Sequence, residues 1–393
     1  MEFILALLVL LLYAKVLGEV FHHYGFSSLV GEVVTGVVLG PAVLRWIIIS
    51  PNDAASNAIG GVAFIGLLVM MLVSGMSSRF DLMGKIKWKA LTISALAAGL
   101  SFIFSFVVVK ITGNSLETSL FIAVVLSNTA TETVARIARG HHLEQILICA
   151  ALIDDILAVY VIGLVSTIGL GRSLDVLTFL ITTAEIAAFF LLVAWVSKEL
   201  VIRRNLMKFV WMKEERGVPV AFAICLALGL AVLAHQIGLH MIIGAYMAGL
   251  FISRLRERPM VTLQSRIRLN KILEDVGLSL ESVLTPIFFA YVGLQLAPEW
   301  GKINFALFGG LLIAALAGKY IGGSLGATLA GIGRDSKKIG VAMCSRGALE
   351  LALIHFGLQA ELISQELFST LVFITIITAI LTPVLFGIMK REE

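Results

Sequence analysis

Apolar segments long enough to cross a bilayer recur from one end of this chain to the other. A spanning α-helix needs about 20 predominantly apolar residues, and thirteen such segments can be drawn here. Only 14% of the 393 residues are charged and 59% are hydrophobic, whereas a soluble domain carries about 25% charged residues. We therefore predict an all-α polytopic membrane protein surrounded by lipid. The predicted spans are roughly 2–21, 28–46, 57–77, 89–111, 116–139, 144–170, 174–197, 217–235, 239–254, 278–297, 304–331, 337–358 and 365–389.

The number of spans predicts how the chain is organised. Two halves of six helices each flank one linker helix. Because the linker crosses the membrane once, the two halves are inverted with respect to each other. We predict a single membrane transport domain with a first repeat at 1–173, a linker helix and cytoplasmic loop at 174–216, and a second repeat at 217–393. We expect a retained first helix, because no basic segment or cleavage site accompanies it. We also expect no cytoplasmic regulatory domain.

The distribution of basic residues predicts the orientation. If the N-terminus lies outside, the cytoplasmic connections carry twenty-three of the Lys and Arg residues, including six between Lys198 and Arg216. The opposite connections carry four: Arg45, Lys110, Arg172 and Lys302. Cytoplasmic loops are enriched in Lys and Arg. We therefore predict a multi-pass protein of the cell (inner) membrane with its N-terminus outside and its C-terminus in the cytoplasm.

Polar residues interrupt the fifth and twelfth predicted helices at corresponding places. The fifth contains the run from Ser127 to Glu132, and the twelfth contains Ser345-Arg346-Gly347. Inside a membrane, unwound backbone is tolerated only where it is buried in protein or lines a cavity, and its freed polar groups can then hold ions. We predict two broken helices that cross at an ion site near the middle of the membrane.

Two adjacent carboxylates, Asp154 and Asp155, lie in the apolar sixth helix. Ionisable residues within a spanning helix are costly and mark ion or proton paths by default. Neighbouring residues on a helix point about 100° apart, so one carboxylate can face a cavity while the other faces a neighbouring helix. Such a pair can hold a proton or a small cation; the alternative is a purely structural acid pair.

Four of the further charges at depth in the predicted helices are candidates for the site. Lys319 lies in Ala-Gly-Lys-Tyr-Ile-Gly-Gly, where the alanine and the glycines let a neighbouring helix come close, so we expect it to pair with a carboxylate. Arg346 and Glu350 are interpreted as a structural ion pair. Glu132 either binds the cation or caps the second half of the broken fifth helix. The three cysteines form no metal-binding pattern.

Several segments together resemble the bacterial and archaeal cation/proton antiporters of the NapA, NhaA and Kef type. Gly31 to Pro41 is similar to the second-helix signature of that family, and Leu126 to Arg136 to its broken helix. Ile153-Asp154-Asp155 resembles the two-aspartate motif of electrogenic sodium/proton antiporters. His240 to Leu250, Pro286 to Gly293 and Gly318-Lys319 resemble later helices, and Arg346-Gly347 resembles the RGE motif. The segments follow one another in the family's order over nearly the whole chain.

The resemblance implies a role for each matching residue. It implies that Asp155 is the main ligand of the cation and the proton, that Asp154 pairs with Lys319 when no cation is bound, and that Thr129 completes the site. The transported Na+ would thus bind at Asp155, Asp154 and Thr129. An elevator mechanism and a homodimer follow by the same implication. The chain departs from the pattern at Ala348, which replaces the RGE acid, and at Glu132.

We therefore expect a secondary antiporter that exchanges Na+, and also Li+, for H+, and not an enzyme. Its partners would be monovalent cations, protons, the lipid bilayer and a second copy of the chain; we expect no nucleic acid and no cofactor. Two alternatives remain. One is a K+/H+ antiporter, since a sequence does not size the cation site. The other is a sodium-coupled organic-anion symporter of the same fold, which would not need an adjacent aspartate pair with a buried lysine.

Overall fold

The computed structural model describes residues 2–50, 53–77, 83–169, parts of 181–193, 217–237, 239–256, 280–296 and 304–391. All regular structure within these ranges is helical. The predicted linker helix at 174–197 lies largely outside the described residues. The basic loops at 198–216 and 257–271, which supported the predicted orientation, lie outside them as well.

The described helices follow the predicted spans closely. They are α1 (Glu2–His23), α2 (Ser28–Leu39), α3 (Ala54–Ser77), α4 (Met83–Ile111), α5 (Leu116–Val125), α6 (Thr131–Ile137), α7 (Glu144–Gly169), α8 (Gly217–Gln236), α9 (Met241–Arg256), α10 (Ser282–Leu294), α11 (Phe305–Leu329), α12 (Ser336–Met343), α13 (Ala348–Gln359) and α14 (Gln365–Arg391).

Not all of these helices are long enough to cross a bilayer. Six helical stretches of the described chain meet the length and hydropathy expected of a span, and five further apolar helices are shorter. Large exposed apolar side chains such as Ile4, Leu8 and Leu12 on α1 suit a lipid environment. The helices are thus those of a multi-pass membrane protein, but the described part does not establish thirteen spans.

The second predicted span, 28–46, is wrong in its length. Helix α2 ends at Leu39, and residues 40–44 form a turn instead of a further helical turn. Pro41 disfavours helical backbone at the preceding Gly40 and has no N–H to donate. Arg45 then adopts a φ of 57°, which also ends any helical continuation.

The chain divides into two compact units. The first comprises Met1–Ser56, Leu82–Val165 and Phe289–Glu393, and the second comprises Asn57–Asp81 and Ser166–Phe288. Within the second unit, α9 packs closely on α3, since a side chain at Gly249 would lie 2.2 Å from the carbonyl oxygen of Leu72. The first unit holds both predicted helix breaks, the aspartate pair and Lys319.

Small residues let α11 lie directly against α4 in the first unit. A Cβ atom at Gly322 would lie 2.3 Å from the carbonyl oxygen of Leu96, and one at Gly318 would lie 2.5 Å from the Cα atom of Ser101. Real Cβ atoms do not approach so closely, so the two backbones touch at these positions. The sequence prediction that small residues around Lys319 admit a neighbouring helix is confirmed, and the neighbour is α4.

We predict that Gly322→Ala lowers the stability of the protein by about 1–3 kcal/mol, because the new methyl group must push α11 away from α4. The control is Gly309→Ala on the same helix, where an added Cβ meets nothing within 4 Å; there the change should be neutral or slightly stabilising. Thermal unfolding of both variants in detergent measures the difference. Equal melting temperatures would contradict the close packing.

Candidate functional site

The two predicted helix interruptions are present, and they touch each other. Residues 126–130 separate α5 from α6, and residues 344–347 separate α12 from α13. The backbone N–H of Ala130 donates to the carbonyl oxygen of Ser345 at 2.9 Å. A Cβ atom at Gly347 would lie 2.7 Å from the Cβ atom of Ala130, so the lack of a side chain at Gly347 allows this contact. The two breaks therefore satisfy part of each other's freed backbone.

Asp154 lies on α7 beside these breaks and is paired with Lys319 of α11, as the resemblance implied. Lys319 Nζ lies 2.6 Å from Asp154 Oδ2, and both side chains are fully buried. The Thr129 hydroxyl donates to the same carboxylate oxygen at 2.6 Å and accepts from Lys319 Nζ at 2.7 Å. The hydroxyl of Ser94 on α4 donates to the other oxygen, Asp154 Oδ1. Asp154 thus has a full set of partners.

Asp155 occupies a different environment, although it is the next residue. It is 3% exposed, and its Oδ2 accepts a hydrogen bond from the Thr131 hydroxyl at 2.6 Å. The Asn128 carboxamide lies close enough to interact with it as well. In the part of the chain that the structure describes, no Lys or Arg side chain pairs with Asp155. The two adjacent carboxylates therefore differ in charge compensation: one is neutralised by Lys319 and the other has only neutral donors.

Glu132 lies in the first turn of α6 with an exposed side chain. It is close enough to interact electrostatically with Asp155 and with Arg136. The N-cap of α6 is Ala130, which has no side-chain capping bond, and among the described hydrogen bonds Glu132 makes none to the helix end. The structure thus brings Glu132 near the site without assigning it as a ligand or a cap.

Arg346 and Glu350 form the ion pair that the sequence predicted. Arg346 Nη1 lies 2.9 Å from Glu350 Oε1, and both side chains are about 1% exposed. Arg346 Nη2 also donates at 2.6 Å to the carbonyl oxygen of Leu126, which accepts a second bond, at 2.7 Å, from the Ser101 hydroxyl. The guanidinium group thus satisfies a carbonyl freed at the C-terminal end of α5, where a positive charge is favourable.

The buried charges nearly cancel within this cluster. Lys319 interacts electrostatically with Asp154 and Arg346, and Glu350 interacts with Arg346 and Lys319. The two cations, Lys319 and Arg346, balance the two carboxylates, Asp154 and Glu350. Such a balance is expected, because an unbalanced charge in a low-dielectric interior is very costly. Asp155 is the additional acid, and a proton or a bound cation would balance it.

The sequence did not identify four of the side chains in this cluster. They are Ser94 and Ser101 on α4, Asn128 in the first break and Thr131 at the start of α6. Each of them contacts one of the acids or the freed carbonyl. Asn128 and Thr131 stand in the interruption that the sequence singled out, so their position was a usable signal. Ser94 and Ser101 stand in an apolar helix that also contains Ser105, and nothing in the sequence separates the three.

The histidine pair at 141–142 lies in the connection between α6 and α7, away from this cluster. His142 Nε2 is 2.9 Å from Asp335 Oδ2, and this hydrogen bond lowers the pKa of Asp335 below its usual value. The contact ties that connection to the loop before α12.

Comparison with known proteins assigns a family to this arrangement. Residues 4–389 match the family described as sodium/hydrogen exchanger, transmembrane. The chain belongs to the sodium/hydrogen exchanger family. The family is one of membrane transporters and not of enzymes. The resemblance drawn from the sequence motifs is thereby confirmed.

Individual relatives and a solved structure agree with this membership. The chain is 24% identical to a Na(+)/H(+) antiporter of Enterococcus hirae, with 100% of this chain and 99% of the relative covered. It is 24% identical to the Na(+)/H(+)-K(+) antiporter GerN of Bacillus cereus over 97% of this chain and 95% of the relative. The fold is similar to that of the sodium proton antiporter MjNhaP1 of Methanocaldococcus jannaschii, with a TM-score of 0.74, 15% identity and 98% and 96% of the two chains covered.

We predict that Arg346→Met lowers the free energy of unfolding by about 3–5 kcal/mol, because it leaves the Glu350 carboxylate buried without its partner. The double variant Arg346→Met/Glu350→Leu should recover part of this loss, since it removes both charges together. Recovery should remain partial, because Leu126 also loses its donor. Chemical or thermal unfolding of the single and double variants in detergent measures the coupling, and strictly additive losses would contradict the pairing.

Proposed function

We propose that this exchanger moves Na+, and also Li+, against H+ across the membrane by alternating access, with Asp155 as the group that carries either ion. One observation carries the proposal. Asp155 is buried beside the helix breaks with neutral hydrogen-bond partners, whereas the adjacent Asp154 is neutralised by Lys319. A buried carboxylate of this kind is stable only when a proton or a cation balances its charge.

Competition at one carboxylate couples the two ions. When Asp155 is protonated, it has no charge with which to hold Na+; when Na+ is bound, the proton must have left. Because an uncompensated carboxylate is too costly to move through the membrane interior, the site changes sides only in one of its two neutral states. An exchange of one ion for the other follows, and no chemical step is involved.

Lys319 adds a second charge-bearing group to the proposal. A cation bound near both carboxylates would compete with Lys319 for Asp154, and a displaced ammonium group buried in protein can release its proton. Exchange of more than one proton for each Na+ would then move net charge across the membrane. We propose that Asp154 and Lys319 supply this electrogenic part, with Thr129 holding the pair together.

The arrangement in the membrane is also a proposal. We infer thirteen spans in two inverted repeats, an N-terminus outside and a cytoplasmic C-terminus in the cell membrane, from the apolar segments and the distribution of basic residues. The touching breaks of α5–α6 and α12–α13 support the inverted repeat, because such folds place their ion site at paired discontinuous helices. A homodimer that moves the site by an elevator motion rests on the family resemblance.

Exchange of K+ for H+ is the second candidate function. The Bacillus cereus relative is named for both Na+ and K+. A K(+)/H(+) antiporter of Saccharomyces cerevisiae is 26% identical over 94% of this chain, although only 45% of that longer relative is covered. A cation series in liposomes separates the two candidates, and uptake of a labelled organic anion tests the symporter alternative.

We predict that the purified protein in pH-loaded liposomes moves protons when Na+ or Li+ is added outside. A trapped pH-sensitive dye reports the movement, and protein-free liposomes with the same ionophores are the control. A larger response to K+ than to Na+ would favour the second candidate. No proton movement with any monovalent cation would refute the proposed function.

We predict that Asp155→Asn abolishes this exchange, because the amide can neither release a proton nor balance a cation. Loss of exchange by about 100-fold or more relative to the wild type is expected. Asp335→Asn, which changes an acid in the loop before α12, is the control and should leave exchange nearly unchanged. An Asp155→Asn variant with normal exchange would show that another carboxylate carries the ions.

We predict that Lys319→Ala changes the dependence of exchange on membrane voltage. The variant removes the buried cation that pairs with Asp154, so it should alter the number of protons that accompany each Na+. Exchange is measured in liposomes with and without a potassium diffusion potential. Unchanged voltage sensitivity in an active variant would exclude a direct role for Lys319.

A further inference from the structure

We propose that the transported cation takes its neutral ligands from the Asn128 carboxamide and the Thr131 hydroxyl, beside Asp155, and not from Thr129. This inference rests on the proposed antiport and specifies which residues determine cation affinity in it. It follows from which polar atoms near the two carboxylates are already used and which remain available.

Asn128 has an unused oxygen at the site. Its side chain is 3% exposed, and its Oδ1 has no hydrogen-bond partner among the described residues. A buried acceptor without a partner costs free energy, and native proteins keep few of them without a reason. The same side chain lies close enough to Asp155 to interact with it, so the unused oxygen belongs to a group beside that carboxylate.

The carboxamide suits both states of the site. Because Asp155 has no basic partner in the described chain, the amide N–H of Asn128 stabilises the free carboxylate. Rotation of the amide by half a turn exchanges its nitrogen and oxygen and presents Oδ1 as an acceptor. A cation beside Asp155 would then meet a neutral carbonyl oxygen, the kind of ligand that replaces the hydration shell of a monovalent cation in channels.

Thr131 supplies the second neutral oxygen. Its hydroxyl donates its only hydrogen to Asp155 Oδ2 at 2.6 Å, so the lone pairs of Oγ1 stay available on the same side of the carboxylate. Together with a carboxylate oxygen of Asp155, Asn128 Oδ1 and Thr131 Oγ1 make three oxygen ligands of the kind that hard cations prefer.

Thr129 and Asp154, by contrast, are already engaged in the buried ion pair with Lys319. The Thr129 hydroxyl donates to Asp154 and accepts from Lys319. Asp154 accepts from Ser94, Thr129 and Lys319. A cation with its neutral ligands at Asn128 and Thr131, beside Asp155, would leave the Thr129 hydroxyl in place, and its charge would still compete with Lys319 for the neighbouring Asp154.

The test measures exchange in liposomes as a function of Na+ concentration for Asn128→Leu and Thr131→Val. Thr131→Val keeps the volume of the side chain, Asn128→Leu keeps its branching at Cγ, and both remove the oxygen. We expect the Na+ concentration for half-maximal exchange to rise by about tenfold or more in each, with the maximal rate much less affected. Binding gives a second readout: the stabilisation of the purified protein by Na+ in a thermal unfolding assay should shift to higher Na+ concentrations by the same factor.

Two matched variants act as controls. Thr131→Ser keeps the hydroxyl and should keep the wild-type Na+ dependence. Ser127 lies in the same break, and its hydroxyl bonds only to the carbonyl oxygen of Val124 in the described contacts. The variant Ser127→Ala, which removes this hydroxyl, should therefore also behave as the wild type. If Asn128→Leu does not fold, Asn128→Ala takes its place, because it only removes atoms.

The outcomes separate this inference from the proposed function. A wild type without cation-driven proton movement refutes the antiport itself. A wild type that exchanges Na+, together with Asn128 and Thr131 variants whose half-maximal Na+ concentration stays within twofold, overturns only the ligand assignment. A change in Na+ dependence in only one of the two variants overturns the assignment of Asn128 and Thr131 as joint ligands. A lower maximal rate with unchanged Na+ dependence shows that the residues have a structural role only, which also overturns the assignment.

Discussion

The buried ion pair between Asp154 and Lys319 is the interaction on which the rest of the site depends. Two charges removed from water are tolerated only when their geometry is good and their remaining hydrogen bonds are satisfied. Ser94 and Thr129 provide these bonds, and they come from α4 and from the break before α6. The close packing of α11 on α4 is therefore more than a packing detail, since it brings Lys319 and Ser94 to the same carboxylate.

Neutralising one aspartate gives the other its chemistry. With Asp154 balanced by Lys319, and Glu350 by Arg346, the cluster carries no excess charge until Asp155 ionises. The charge that still needs a proton or a cation to balance it is thus that of Asp155, whose neighbours Thr131 and Asn128 are neutral.

The sequence predicted the membrane class, both helix breaks, a carboxylate partner for Lys319 and the Arg346–Glu350 pair, because each of these creates a visible exception in an apolar helix. That the partner of Lys319 is Asp154 was what the family resemblance implied. The sequence did not predict that Ser94 bonds to Asp154. In a membrane helix the lipid face and the buried face are both apolar, so periodicity does not reveal which of Ser94, Ser101 and Ser105 faces a carboxylate. It also extended α2 through Gly40 and Pro41, since hydropathy alone continues past Leu39.

The break between α5 and α6 contacts both carboxylates within four residues. Thr129 bonds to Asp154 and Lys319, whereas Asn128 and Thr131 bond to Asp155. Regular helix would carry successive side chains in fixed directions about 100° apart, but Asn128 and Thr129 lie in the unwound residues before Thr131 begins α6. A movement of this segment toward an ion at Asp155 therefore also moves the Thr129 hydroxyl relative to Lys319. The same backbone discontinuity that opens the site can thus transmit its occupancy to the buried ion pair.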